Sequence, residues 1–186
     1  ALLPQSLRAN VPAMIAGLRK IAGRAEGFHD EATTQRIRVH GDLHLGQTLR
    51  TPDSDWKIID FEGEPARPVE ERRQKTSALK DVAGMLRSFA YARGAAERAI
   101  EVEANRGDQE RLFAWETAAR RVFLEGYRSA IRAAPVSLAP AAEDAFRRAL
   151  AAWELDKALY EIAYEVRNRP DWIALPLRSL LPDLPD

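Results

Sequence analysis

The stretch Ile37–Pro65, IRVHGDLHLGQTLRTPDSDWKIIDFEGEP, sets short apolar runs against an unusual load of titratable groups. IRVH alternates as a strand does. QTLRT and WKIIDF flank PDSD, whose Pro and Asp residues are turn formers, so the pattern predicts a hairpin. Asp42 stands just after the first run, Gln47 follows five residues later, and Asp60 ends the next strand. Antiparallel neighbours lie only ~5 Å apart, so the hairpin returns Asp60 beside Gln47 and Asp42. Two carboxylates and an amide oxygen on one patch suit a hard cation such as magnesium, which keeps several waters and is completed by phosphate oxygens. Asp42 is then free to orient or deprotonate a hydroxyl nucleophile.

Taken singly, each residue has a plainer role. A His-Gly-Asp turn can cap a hairpin with Asp42 accepting backbone amides, and Asp60 can be a turn acceptor. Order, offset and the intervening hairpin favour the chemical reading for the set. His40 is expected to hold the loop by hydrogen bonds. His44 stays open between a loop buttress and a substrate contact.

Outward from this stretch the chain turns helical. Toward the amino end, Ile15, Leu18 and Ala22 recur at helical spacing before Gly23. On the other side, EGEPARPVEERRQKTS is charged and without periodicity and reads as a loop. Leu79, Val82, Leu86, Phe89, Ala96 and Ile100 then mark one long helix with Ser77 as its cap. A break at RGD precedes a second helix through Leu112, Trp115, Val122, Phe123 and Ile131. Pro135 and Pro140 bracket a linker, a third helix runs to VRN, and the prolines beyond it forbid another long one. The expected fold is mainly α with a small β-hairpin.

Composition limits what such a chain can do. Lys plus Arg and Asp plus Glu are both 28, a zero net charge that argues against a nucleic-acid partner. The chain has no cysteine, which fits a reducing cytoplasm. No apolar run approaches the ~20 residues needed to span a bilayer, so no membrane partner is expected. The first residues lack the basic start and apolar core of a signal peptide.

The set His40-Gly41-Asp42, Gln47 and Asp60-Phe61-Glu62 resembles the kinase catalytic loop and metal motif, H-x-D, an amide five residues on, then D-F-x. Protein kinases have Arg at Gly41, Asn at Gln47 and Gly at Glu62, so the resemblance leans toward the aminoglycoside phosphotransferase-like kinases of small molecules. VHGDLHLGQTLRT, DFEGEPARPVEERRQKTSALKDVAGMLRSFAYA and KALYEIAYEVRNRPDWIALPL together resemble bacterial maltokinases, including those fused to trehalose synthase. That resemblance implies ATP-dependent phosphorylation of maltose to maltose 1-phosphate, with trehalose synthase as a fused or associated partner. Asp42 would act on the anomeric hydroxyl, with His40 beside it in the catalytic loop. Gln47 and Asp60, with Glu62 close by, would hold magnesium and thereby ATP. Glu62 and Glu64 would be metal-shell or loop-orienting groups, and Asp81 and Arg87 would tie a helix to the loop by an ion pair.

The late helix has two faces of its own. At 100° per residue Lys157, Tyr160, Glu161, Tyr164 and Asn168 share about 100° of arc, with Trp153 at the edge. Leu155, Leu159, Ile162 and Val166 lie opposite. An aromatic, charged and amide stripe suits a sugar, and it equally suits a second packed face. The maltokinase resemblance favours Lys157, Tyr160, Glu161 and Asn168 as sugar contacts, with His44.

No G-x-G-x-x-G or G-x-x-x-x-G-K occurs among the ten glycines. The whole chain, 1–186, is therefore read as the C-terminal lobe of a protein-kinase-like fold without its nucleotide-binding lobe, and inactive by itself. Two other readings stay open: a non-catalytic sugar-binding or docking module associated with trehalose synthase, and a kinase for another sugar or amino sugar.

Overall fold

The computed structural model describes residues 25–32, 34–100 and 106–180. The helix expected before Gly23 and the last turn expected beyond Ile100 lie outside them. The described residues form two compact units, 34–139 and 25–32 with 140–180.

In the first unit, β1 (Thr48–Arg50) and β2 (Trp56–Ile58) pair antiparallel with Thr48 opposite Ile58, Leu49 opposite Lys57 and Arg50 opposite Trp56. Thr51–Asp55 closes the turn, with the Thr51 amide on the Asp55 carbonyl (2.9 Å) and Ser54 in the left-handed region. The hairpin is small and its Leu49, Trp56 and Ile58 side chains are exposed. IRVH, expected as a strand, makes a single bridge, Ile37 with Thr76. It goes no further because the Gln74 amide, which would meet Val39 in the next pair of the ladder, donates instead to the Glu71 carbonyl (3.1 Å), and the Gln35 amide on the other side goes to the Ser137 carbonyl (2.7 Å).

The charged segment after the hairpin holds one helical turn, α1 (Val69–Arg72), just after Pro68. The long helix α2 (Leu79–Ile100) starts where the Ser77 hydroxyl accepts the Leu79 amide (3.1 Å), as the expected cap does. Its apolar residues bury Leu79, Val82, Met85, Leu86 and Phe89. Each such side chain contributes roughly 1.5–3 kcal/mol when fully buried. Helix α3 (Arg106–Arg132) packs on it, the Phe89 ring meeting Trp115 and Phe123 edge-on at 6.3 and 6.0 Å. The expected break at RGD lies inside α3: Asp108 sits in its first turn, where a carboxylate favours the helix's partial positive end.

In the second unit, α4 (Glu143–Asn168) is followed by a 3₁₀ turn at Pro170–Trp172 and the short α5 (Ala174–Leu180). The break before α5 is the one the prolines require. A 3₁₀ segment, Glu26–Glu31, lies along α4. Asp30 pairs with Arg148, Glu31 accepts the Trp153 indole N–H (2.7 Å), and the Phe28 ring stands edge-on to Trp153 at 5.1 Å. The buried side of α4 is Phe146, Ala149, Leu150, Ala152, Leu155 and Ala158. The expected core face was partly misplaced. Leu159 is 47% exposed, whereas Glu161 and Glu165 are buried. Glu165 can be buried because Arg169 pairs with it through two hydrogen bonds, 3.0 and 2.6 Å.

Among the described residues no helix is long and apolar enough to cross a membrane.

Candidate active site

The loop Val39–Gln47 lies on one face of α2. Asp81, Gly84 and Ser88 occupy that face at i, i+3 and i+7, within about one-sixth of a turn of each other. The Asp81 carboxylate accepts the amides of His40 and Gly41, both at 2.8 Å. Ser88 accepts the Leu45 amide at 3.2 Å and donates to the Met85 carbonyl at 2.7 Å. Between them Gly84 lets the loop touch the helix backbone: a Cβ there would stand 2.5 Å from the Leu43 carbonyl oxygen. Gly41 adopts φ +87°, a left-handed conformation that glycine enters without strain, and so turns the chain from His40 into Asp42.

The expected tie between α2 and the loop therefore exists, and it includes hydrogen bonds from two loop amides to Asp81. Asp81 grips backbone N–H groups, whose positions do not depend on a rotamer. Burial pushes its carboxyl above the ordinary carboxylate value, while the Gly41 and His40 amides oppose that rise by favouring the charged form. Arg87, on the same helix, is buried as well.

His40 is buried and fully engaged by its neighbours. Its Nδ1 accepts the Asp42 amide (3.2 Å), so Nε2 carries the proton and donates to the Ile59 carbonyl (2.7 Å). Its ring also rests on Phe61, centroids 4.8 Å apart. One imidazole thus joins the loop before Asp42 to the segment around Asp60. This matches the loop-holding role expected of it, and leaves neither ring nitrogen idle in this tautomer. His44 caps the 3₁₀ turn Leu45–Gln47 by accepting the Gly46 amide on Nδ1 (3.1 Å). That contact is the buttress of its two alternatives.

Asp42 is half-buried within this loop. Gln47 and Asp60 are brought together as the hairpin implied: the Ile59 amide reaches the Gln47 carbonyl (3.0 Å), and the Gln47 amide nitrogen donates to Asp60 Oδ2 (3.0 Å). Asp60 is left-handed, φ +65°, a conformation Asp tolerates better than most residues. Among the described residues no three His, Cys, Asp or Glu side chains gather around a metal. A carboxylate with an amide oxygen fits magnesium that takes its remaining ligands from phosphate and water, rather than a closed protein cage.

Glu62 follows two residues after Asp60. Its carbonyl accepts Arg72 Nη1 (3.1 Å), and it lines a hollow with Arg38, Val69, Arg72 and Arg73. Glu64 is almost fully buried, paired with Arg67 and with Lys80 of α2 at 3.5 Å, which orients the segment after Asp60.

On α4 the other expected site residues form a ladder. Lys157 Nζ lies 4.8 Å above the Tyr160 ring, Tyr160 stacks on Tyr164 at 6.4 Å, and the Arg169 guanidinium lies over Tyr164 and Trp172 at 5.6 and 5.2 Å. Glu161 is buried, and the Asn168 side-chain amide donates to the Tyr164 carbonyl (2.9 Å). Arg169 and Trp172 were missed because they lie past the end of the helical pattern. Ser88 and Gly84 were missed as well, although their spacing from Asp81 was visible.

No protein-family model matches the chain. It is 33% identical over 156 residues to a glucosamine kinase of Streptacidiphilus jiangxiensis, covering 83% of this chain and 33% of that protein. It is 35% identical over 142 residues to a glucosamine kinase of Mycolicibacterium smegmatis, covering 76% of this chain and 33% of that protein. The chain thus spans about a third of the length of these relatives. Among solved structures it resembles a glucosamine kinase in complex with glucosamine, ADP and inorganic phosphate, with a TM-score of 0.63 and 27% identity over 93% of this chain and 45% of that one. A second crystal form of glucosamine kinase gives a TM-score of 0.64 at 28% identity. The fold is kinase-like, mainly helical with one small antiparallel hairpin. These relatives support the amino-sugar alternative over maltose, and lend no support to maltokinase or trehalose synthase in particular.

Proposed function

We propose that this chain is the acceptor-side half of an ATP-dependent kinase of an amino sugar, glucosamine being the first candidate. One observation carries the reading: a carboxylate, Asp42, within a loop pinned to α2 on either side of it through Asp81 and Ser88, in the same unit as a hydrogen-bonded Gln47–Asp60 pair. The kinship to glucosamine kinases supports the substrate class. It does so better than the motif wording supported maltose.

In this reading Asp42 accepts or orients the proton of the sugar hydroxyl, a contribution of about 10²–10⁴ in rate. Gln47 and Asp60 would hold magnesium, which when bound neutralises charge on the nucleotide phosphates. His40 fixes the backbone of Asp42 and takes no proton. Glu62 belongs to the loop rather than to the metal. The sugar-contact role of Lys157, Tyr160, Glu161 and Asn168 is likewise proposed, from the aromatic and charged face of α4 taken by itself. The nucleotide-covering half is proposed to lie in the remaining two-thirds of a protein as long as these relatives, leaving this chain inactive alone.

The test is ATP-dependent phosphorylation by the complete gene product containing this chain, across glucosamine, glucose, maltose and trehalose. Preference for glucosamine is expected. Preference for maltose would restore the maltokinase reading, and no turnover of any of the four would favour a binding module.

A further inference from the structure

Arginines in the segment after Asp60 fall into two groups. Arg67 is paired with Glu64 and Glu71. Arg38, Arg72 and Arg73 instead line one hollow of about 220 Å³, shared with Val69 and the single carboxylate Glu62. Among the described residues Arg38 and Arg73 have no ion pair. Arg72 donates through Nη1 to the Glu62 carbonyl (3.1 Å), but its Nε is buried and has no partner. A guanidinium N–H shut away from water without an acceptor is unfavourable, and native structures usually supply one. The stem of Arg72 lies against Gly63, where a Cβ would meet Cδ at 3.3 Å, so its head is not placed to swing freely.

Three guanidinium groups against one carboxylate, around one cavity, form a receptor for a compact oxyanion. Arginine offers planar, paired donors that match phosphate oxygens, and its charge does not titrate. We infer that the hollow lined by Arg38, Arg72 and Arg73 binds a phosphate group, either inorganic phosphate or the phosphate of a sugar ester. This site is separate from the Gln47–Asp60 pair. An anion there bridges Arg38, two residues before His40, to Arg72 and Arg73 beyond Glu62. It would hold the Asp60 segment against the catalytic loop. Binding stands without the kinase reading; only the consequence for turnover rests on it.

The experiment is calorimetric titration of the 186-residue chain with inorganic phosphate and, separately, with glucose 6-phosphate. EDTA is present and nucleotide is left out, so failure of the kinase reading has no bearing on the result. Saturable binding of inorganic phosphate is expected, and tighter binding of the ester would assign the natural source to a sugar phosphate. Arg38 and Arg73 are exposed, so Arg38→Gln with Arg73→Gln leaves the core intact and should weaken binding by about tenfold or more. Arg72→Lys keeps the charge but removes the Nε–H donor, and should weaken it by less. Asp60→Asn should leave it in place. The inference is overturned by an absence of saturable binding, by equal binding in the double variant, or by loss of binding in Asp60→Asn alone.

Discussion

The loop on α2 and the stripe on α4 were both marked out by sequence, and they are built by opposite means. The loop is held by backbone: two amides on Asp81, one on Ser88, a carbonyl against Gly84. The stripe is held by side chains: a lysine, two tyrosines, an arginine and a tryptophan stacked in turn. Backbone geometry fixes a reacting group to a fraction of an ångström. Stacked, partly exposed rings offer a surface that adapts to a ligand. Chemistry is thus expected at the loop and recognition at the stripe, and substitutions should separate the two.

The largest effect short of Asp42 itself is expected from Asp60→Asn in the complete gene product. A fall in kcat of roughly 10²–10³ is expected, as for loss of a preorganised charge-stabilising group, with more magnesium needed for half-maximal rate. An unchanged magnesium dependence would remove Asp60 from the metal site.

Gly84→Leu should follow. Its Cβ alone would come within 2.5 Å of the Leu43 carbonyl, and neither backbone can yield cheaply. A loss of about 1–3 kcal/mol is expected for overpacking, read in a urea melt, with kcat reduced because the loop is lifted. Full activity in this variant would mean that the loop does not depend on its seat.

Asp81→Asn is expected to cost about 1–3 kcal/mol by weakening the grip on two buried amides. It should also alter the pH profile. Because Asp81's folded pKa is raised by burial, the folded state holds this proton more tightly than the unfolded state. The stabilisation this provides is complete below the ordinary value of 3.8 and is lost as pH rises through the raised value. Asn has no such proton, so that downward slope should vanish. Its persistence in Asp81→Asn would place it on another group.

The smallest effect belongs to the ladder. Lys157→Met removes one half-buried cation–π contact, about 0.5–2 kcal/mol, and should raise KM for the sugar while leaving kcat within a few-fold. A fall in kcat without a change in KM would make the stripe part of the chemistry and end the contrast.

Legibility in the sequence followed the same division. The long helices, the hairpin and the pairing of Gln47 with Asp60 were readable because periodicity, turn residues and a five-residue offset are local signals. IRVH was over-read as a strand because alternation says nothing about where backbone amides go: the Gln74 amide that would meet Val39 turns to Glu71, and the His40 amide is taken by Asp81, 41 residues away. The faces of α4 were partly misassigned because a glutamate is buried only if a partner meets it. Arg169, which meets Glu165, lies just past the helix. The substrate was the least legible feature. A kinase-like loop of this kind would serve any hydroxyl acceptor, and motif wording suggested maltose where the relatives are glucosamine kinases.

The most direct test is the turnover of Asp42→Asn in the complete gene product with glucosamine and ATP, measured beside its melting temperature. A kcat lower by about 10²–10⁴ is expected, with folding and KM little changed. Turnover at the wild-type rate from a folded Asp42→Asn protein would contradict it.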